Sequence, residues 1–419
     1  PESYNVFYGC SNVSSITFLG EQVPYICDSV DANSSYYYHI QYFFNSNSLK
    51  NLKTIWVPAG CYTAYSNAYG TYLQTQTRIK ETGAEGFIIE NLTLIAYVGN
   101  DTEVIVPDEV DVIAPKAFLN NTTLTSVVLP EGLTKIDAYG FKGCTALVDV
   151  ILPEGLTTVG NYVFQGCTSL TEISFPESTT TIGQYAFNGC SNLKEVNFGS
   201  NITSIGNYAF QNCTSLTGAL ELPENLVTIG AAAFYGCTKM NGDLVIPSKV
   251  TTIGNNAFYN CTGITGGLTL PEGLASIGSS AFSNCTGLSG KLELPSTLTT
   301  IGNSAFYGCK SFIGDLVIPN SVTSLGSSAF YGCSGFNGTL TLSDNITKID
   351  AQTFYNCSGL TGTIIVPNKV MKINYGAFAY CNKINEIVLG TGVKNLYGDS
   401  SPESYNVFYG CSNVSSITF

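Results

Sequence analysis

One phenylalanine recurs through this chain at an almost fixed interval. From Phe118 it returns as Phe141, Phe164, Phe187 and Phe210 at steps of 23 residues, then as Phe234, Phe258, Phe282, Phe306, Phe330, Phe354 and Phe378 at steps of 24. The same frame surrounds each copy, as in Ile253-Gly254-Asn255-Asn256-Ala257-Phe258-Tyr259-Asn260-Cys261, with Ile264 three residues after the cysteine and Pro271 opening the next segment. Two dozen residues cannot enclose a core, so each copy must bury its apolar face against its neighbours. The period therefore predicts a solenoid in which one copy is one coil.

For such a chain, length says little about domain number, because a solenoid grows by adding coils. Composition excludes some partners. Only 11% of the 419 residues are charged and the formal net charge is −13, so a nucleic acid would meet repulsion rather than a basic stripe. The most apolar stretch, 86–99, carries Glu90 and Asn91 and is far shorter than the roughly 20 residues that cross a bilayer. No membrane span is expected in it. The chain opens in mid-repeat at Pro1, which reads as a fragment of something longer.

Fifteen cysteines suggest a disulfide framework until their positions are read. Cys10, Cys144, Cys167, Cys190, Cys213, Cys237, Cys261, Cys285, Cys309, Cys333, Cys357, Cys381 and Cys411 each follow a repeat phenylalanine by three residues. Coils stacked at strand spacing, about 5 Å, give these side chains one shared direction, so their Cβ vectors do not converge on one another. They are expected to be buried free thiols in a column beside the phenylalanines. With no CxxC and no convergent cluster, no zinc site is expected. Cys27 and Cys61 fall off the ladder and form the one candidate disulfide pair, which would imply an oxidising compartment.

The period also locates the breaks. Residues 1–18 reappear unchanged as 402–419, 401 residues later, whereas ordinary repeats share only their frame. Duplication of a unit of that size is one origin for the identity; an artefact is the other. After Cys10 the frame dissolves into an aromatic stretch with Tyr36, Tyr37, Tyr38, His39, Phe43 and Phe44, and a last coil returns before Cys61. Residues 1–65 are thus read as the last coils and aromatic cap of one array, 66–85 as a polar linker, and 86–419 as a second array. An uncapped coil at residue 419 would be open to another molecule's first 65 residues.

Within a coil, apolar residues before the proline, such as Leu268 and Leu270, alternate with polar ones and suit a short strand. The Ala-Phe-x-x-Cys segment suits a single helical or 3₁₀ turn. Each 24-residue coil adds a glycine five residues after its cysteine: Gly218, Gly242, Gly266, Gly290, Gly314, Gly338 and Gly362. That column predicts either a positive φ at a turn or a close approach of two backbones.

The frame Leu-Pro-x-x-Leu-x-x-Ile-Gly-x-x-Ala-Phe-x-x-Cys-x-x-Leu, written here by Leu270 to Leu288, resembles the BspA-like, or Treponema-type, leucine-rich repeat of bacterial and protist surface proteins. The opening at 90–100 and the segment Trp56-Val57-Pro58-Ala59-Gly60 look like that family's array start and array end. The resemblance implies a curved right-handed solenoid of short parallel strands, display outside the cell, and non-catalytic binding to host or microbial proteins. The chain departs from the usual pattern by ending one array and beginning another.

Chemistry-bearing motifs are scarce. His39 stands among aromatics with no serine or cysteine elbow beside it, and no GxSxG, P-loop or HExxH occurs, so neither catalysis nor a cofactor is expected. The fragment Asp31-Ala32-Asn33-Ser34-Ser35 spaces its oxygens like a calcium loop but lacks the turn glycine and the distal glutamate. Asn212, Asn260, Asn284 and Asn356 each begin an Asn-Cys-Thr/Ser sequon, a glycan acceptor in a eukaryote and turn chemistry in a bacterium. Threonines before the repeat isoleucine, as at Thr251-Thr252, suit strands on a solvated face. Two functions fit this reading: a surface-displayed scaffold that binds a protein through its sheet face and aromatic cap, and a structural unit of an extracellular filament whose modules follow one another end to end.

Overall fold

A computed structural model describes residues 86–396 and 406–419, together with the backbone of three earlier strands, Ser15–Thr17, Thr54–Val57 and Arg78–Glu81. The chain divides into two compact units, Pro1–Asp101 and Thr102–Phe419. In the first, the three early strands pair in parallel, with Ile16 opposite Ile55 and Ile55 opposite Ile79. Arg78–Glu81 falls inside the stretch 66–85. A hairpin follows, Phe87–Glu90 against Thr93–Tyr97, turned at Asn91 and Leu92 with φ of 49° and 62°. Two positive φ values in a row are what a tight hairpin turn compatible with strand twist requires.

The second unit is a β-solenoid, and no helix occurs among its described residues. Most coils contribute two short strands, one on each side of a turn that usually holds a proline. The strand after the proline is a polar-apolar pair. From Val112–Ile113 to Ser324–Leu325, ten such pairs form one continuous parallel sheet, Thr158 over Thr181 and Val159 over Ile182 being typical. One side chain of each pair is buried and the other meets solvent, so the alternation in sequence becomes an inside and an outside. The strand before the proline forms a second column, starting with Glu103–Ile105, Ser126–Val128 and Asp149–Ile151 in register.

The glycine that follows the repeat isoleucine or valine explains how closely the coils stack. A Cβ on Gly160 would lie 2.8 Å from the carbonyl oxygen of Ile136, and one on Gly254 would lie 2.6 Å from the amide nitrogen of Ala231. No side chain fits between the backbones there.

The Ala-Phe-x-x-Cys corner corrects the expectation of a helical turn. It is a string of separate β-turns: in one coil Gly140 donates to Asp137, Lys142 to Tyr139, and Cys144 to Phe141, each three residues back. The intervening amides of Tyr139, Phe141 and Gly143 donate instead to Asn161, Val163 and Gln165 of the next coil. A positive φ two residues before and two residues after the phenylalanine makes this alternation, 65° at Tyr139 and 75° at Gly143. A helix has no such residues, and it would keep these hydrogen bonds within the coil.

The core is a set of columns. Phe118, Phe141, Phe164, Phe187, Phe210, Phe234, Phe258, Phe282, Phe306, Phe330, Phe354, Phe378 and Phe408 stack ring on ring, with centroids from 4.6 to 5.7 Å apart and near-parallel planes. Cys144, Cys167, Cys190, Cys213, Cys237, Cys261, Cys285, Cys309, Cys333, Cys357 and Cys381 are buried free thiols, and Cys411 is half-buried. Each thiol donates to the phenylalanine carbonyl of the preceding coil at 3.0 to 3.3 Å, as Cys285 does to Phe258 and Cys213 to Phe187. That carbonyl also accepts the amide of its own coil's cysteine, as Phe258 does from Cys261. The cysteine therefore packs as a small apolar group and also occupies the second lone pair of a buried carbonyl.

The added glycine of the 24-residue coils serves both purposes that the sequence allowed. Gly218, Gly242, Gly290, Gly314 and Gly362 have φ between 75° and 83°. At Gly266 and Gly338 the neighbouring backbone is what forbids a side chain, at Asp243 and Asp315 respectively.

Candidate interaction surfaces

The columns that face solvent carry the variation that the interior lacks. Two residues before the phenylalanine, Tyr139, Tyr162, Tyr185 and Tyr208 stack at 4.5 to 4.8 Å with planes within 10°. All four have positive φ, a costly conformation for a bulky residue. Stacking of about 0.5–1.5 kcal/mol per pair offsets part of that cost. Lys142 lies over the rings of Tyr139 and Tyr162 at 5.3 and 5.8 Å. Later in the chain the aromatic column moves to the residue after the phenylalanine, where Tyr235 stacks on Tyr259 and Tyr307, Tyr331 and Tyr355 stack in turn. These rings cover one another's faces and present edges and hydroxyls to water. Burial is the first cause that pushes the Tyr355 hydroxyl up to about 12.

A second outward column ends the strand before the proline. It reads Ile105, Val128, Ile151, Ser174, Asn197, Glu221, Val245, Thr269, Glu293, Val317, Thr341 and Ile365. The first three are aliphatic, adjacent and exposed at 66%, 55% and 75%. Beyond them, aliphatic residues occur singly as far as Thr341, and Ile365 then lies across from a half-buried Val388. A groove of about 290 Å³ runs beside the patch, lined among others by Asp149, Ile151, Glu154, Glu172 and Ser174. This patch was not singled out from the sequence, although its 23-residue register was there to be read.

The four sequon asparagines stand two residues after the phenylalanine, with φ of 59° at Asn212, 59° at Asn260, 60° at Asn284 and 54° at Asn356. Other coils place glycine there, as at Gly236 and Gly308. Asparagine and glycine are the residues that tolerate this conformation best, so the backbone alone accounts for them. Asn212 and Asn356 are exposed, and Asn260 and Asn284 are half-buried.

Cys27, Cys61, Tyr36, Tyr37, Tyr38, Phe43, Phe44, His39 and the fragment at 31–35 lie outside the described residues. Among the described residues, no group of three or more His, Cys, Asp or Glu is placed to hold a metal, and no helix is long and apolar enough to cross a membrane. Burial pushes the Cys144, Cys190 and Cys237 thiols up to about 12, so these groups stay protonated and unreactive at neutral pH.

The family model for the BspA type leucine rich repeat region matches residues 95–217, 215–337 and 289–415. The chain belongs to this family of leucine-rich repeat proteins. A leucine-rich repeat protein from Bacteroides ovatus shares the fold, with a TM-score of 0.54, 24% identity, and coverage of 74% of this chain and 90% of that one. A leucine rich cell surface protein from Faecalibacterium prausnitzii aligns with a TM-score of 0.45 and 22% identity over 79% of this chain and 92% of that one. The pneumococcal vaccine antigen PcpA aligns with a TM-score of 0.46 and 22% identity over 71% and 86%. The comparison with curated proteins gave no match.

Proposed function

We propose that this chain is a non-catalytic scaffold displayed outside the cell, which binds host or cell-surface proteins through its exposed strand columns. The observation that carries this reading is the contrast between neighbouring columns. Phenylalanine and cysteine repeat in the core without change, while the adjoining outward column runs from Ile105 through Asn197 to Glu293. A rigid interior that presents a different side chain at each strand spacing can match an extended partner. Membership in a leucine-rich repeat family, whose members serve as protein-interaction scaffolds, supports it. Labelling of unpermeabilised source cells with antibody against the folded array tests the location. Signal on intact cells is expected, and signal only after permeabilisation would overturn it.

A second reading, the repeating unit of an extracellular filament, draws on the identity of residues 1–18 and 402–419. The same Ser-Ile-Thr tripeptide is a strand in both copies. Ser15–Thr17 pairs with a later strand, Thr54–Val57, and Ser416–Thr418 with an earlier one, Ile384–Val388. One tripeptide can thus take a partner on either side, as a join between successive modules would need. The parent reading frame distinguishes the two: many near-identical units favour the filament, and a single unit with a wall anchor removes it.

A further inference from the structure

The three coils at the start of the second unit carry a surface that the rest of the array lacks. Ile105, Val128 and Ile151 lie directly across from one another on paired strands and form an exposed aliphatic row. Two residues earlier on the same strands, hence on the same face, stand Glu103, Ser126, Asp149 and, one coil on, Glu172. Three residues after the row, in the proline turns, stand Asp108, Glu131, Glu154 and Glu177. Seven of these eight flanking positions are acidic, and all seven carboxylates are exposed. The ion pairs Lys135–Asp137 and Lys348–Asp350 involve none of these seven carboxylates. An apolar row between two unneutralised acidic rows is complementary to an apolar stripe between two basic ones.

Spacing narrows the partner further. Three residues at strand spacing of about 4.8 Å span roughly 10 Å. Apolar residues at i, i+3 or i+4, and i+7 of a helix span about 10.5 Å, with side chains diverging to both flanks. We infer that Ile105, Val128 and Ile151, framed by these carboxylates, form a docking surface for a basic amphipathic helix of a partner protein, its apolar stripe on the aliphatic row and its lysines and arginines on the two acidic rows. This inference rests on the reading of the chain as a binding scaffold. Location on intact cells and peptide binding in solution fail separately, so either can fall alone.

The test uses the full chain and a labelled 14-residue model helix of leucine and lysine, with binding followed by fluorescence anisotropy at two salt concentrations. Saturable one-to-one binding is expected, weakened at least tenfold by the triple substitution Ile105→Thr, Val128→Thr, Ile151→Thr. Threonine suits these exposed strand positions, so the variant should fold. A control triple, Val245→Thr, Val317→Thr, Ile365→Thr, should bind as the native chain does. The substitutions Asp149→Asn, Glu154→Gln and Glu172→Gln should weaken binding and reduce its salt dependence. No saturable binding would overturn the inference. So would equal binding of a scrambled, non-amphipathic peptide of the same composition, equal loss in the control triple, or an unchanged affinity in the first triple.

Discussion

The coils of 23 residues, from Phe118 to Phe210, and those of 24, from there to Phe378, share a core and differ at one edge. In the shorter coils the strand before the proline is three residues long, as in Asp149–Ile151 and Glu172–Ser174. In the longer ones as far as Thr341 it is no more than two residues long, as in Leu244–Val245 and Leu268–Thr269, and its column breaks into separate pairs before Gly362–Ile365 restores a longer strand. The added glycine enters just before this strand, taking a positive φ at Gly242 and Gly314. The polar-apolar strands after the proline pass the change unbroken, Ser204–Ile205 pairing with Thr228–Ile229 across it. Phe210 and Phe234 stack there at 5.4 Å. An inserted residue is thus absorbed where one strand can shorten, and the packed columns cannot move to accommodate it. The half-buried stacked tyrosines change column at the same place, from two residues before the phenylalanine to one after it.

If the core is one continuous object, conditions that charge it should unfold both regions together. Burial raises the thiols of Cys144 and Cys190 in the short coils and of Cys237 in the long ones from their ordinary value of 9.0 to about 12. An unfolded chain loses these protons near pH 9, while the folded chain holds them. Between pH 9 and 12 the unfolded state therefore binds fewer protons, and stability falls as pH rises. It is fully present below about pH 8.5, the ordinary thiol range. Circular dichroism over an alkaline titration should show one cooperative loss of structure above pH 9. Separate transitions for the two regions would count against a shared core.

Truncating one ring should cost about the same in either region. Phe187→Ala and Phe282→Ala each remove a fully buried ring with stacked neighbours on both sides, and each should destabilise by about 3–5 kcal/mol in urea. A large difference between them would mean that the longer coils pack differently inside.

Only a small part of this was beyond reach of the sequence. The period, the phenylalanine and cysteine columns and one strand per coil, before the proline, followed from invariant spacing; that the unbroken sheet is formed instead by the strand after the proline did not. The corner was misread as a helical turn, because apolar residues at short spacing do not reveal that Tyr139 and Gly143 both take positive φ. The cysteine's role as a donor to Phe258 or Phe187 was hidden because it depends on a carbonyl in another coil. The aliphatic row at Ile105 was hidden for a related reason: its three members are 23 residues apart and become neighbours only through stacking.

The glycine column offers a sharper contrast within the longer coils. Gly266→Ala places a methyl group against the backbone of Gly242 and Asp243, an overpacking that costs roughly 1–3 kcal/mol. Gly290 has nothing within 4 Å of an added Cβ and φ of 75°, so Gly290→Ala should carry only the left-handed penalty of about 1–2 kcal/mol. Thermal unfolding of the two variants should rank them in that order. The cysteines should give the smallest effect: Cys190→Ser keeps a donor for the Phe164 carbonyl and should cost less than Cys190→Val, which leaves that lone pair empty, by about 1 kcal/mol.

Amide hydrogen exchange resolved to single residues across 160–300 bears most directly on the claim that one core runs through both coil lengths. The amides of Phe187 and Phe282, which donate to Ala209 and Ala305 of the next coils at 2.7 and 2.8 Å, should be protected to the same degree. The strand before the proline should differ, with stronger protection across Glu172–Ser174 than across Leu268–Thr269. Protection that drops in every column beyond Phe210, the phenylalanine amides included, would contradict a shared core and make the longer coils a separate cooperative unit.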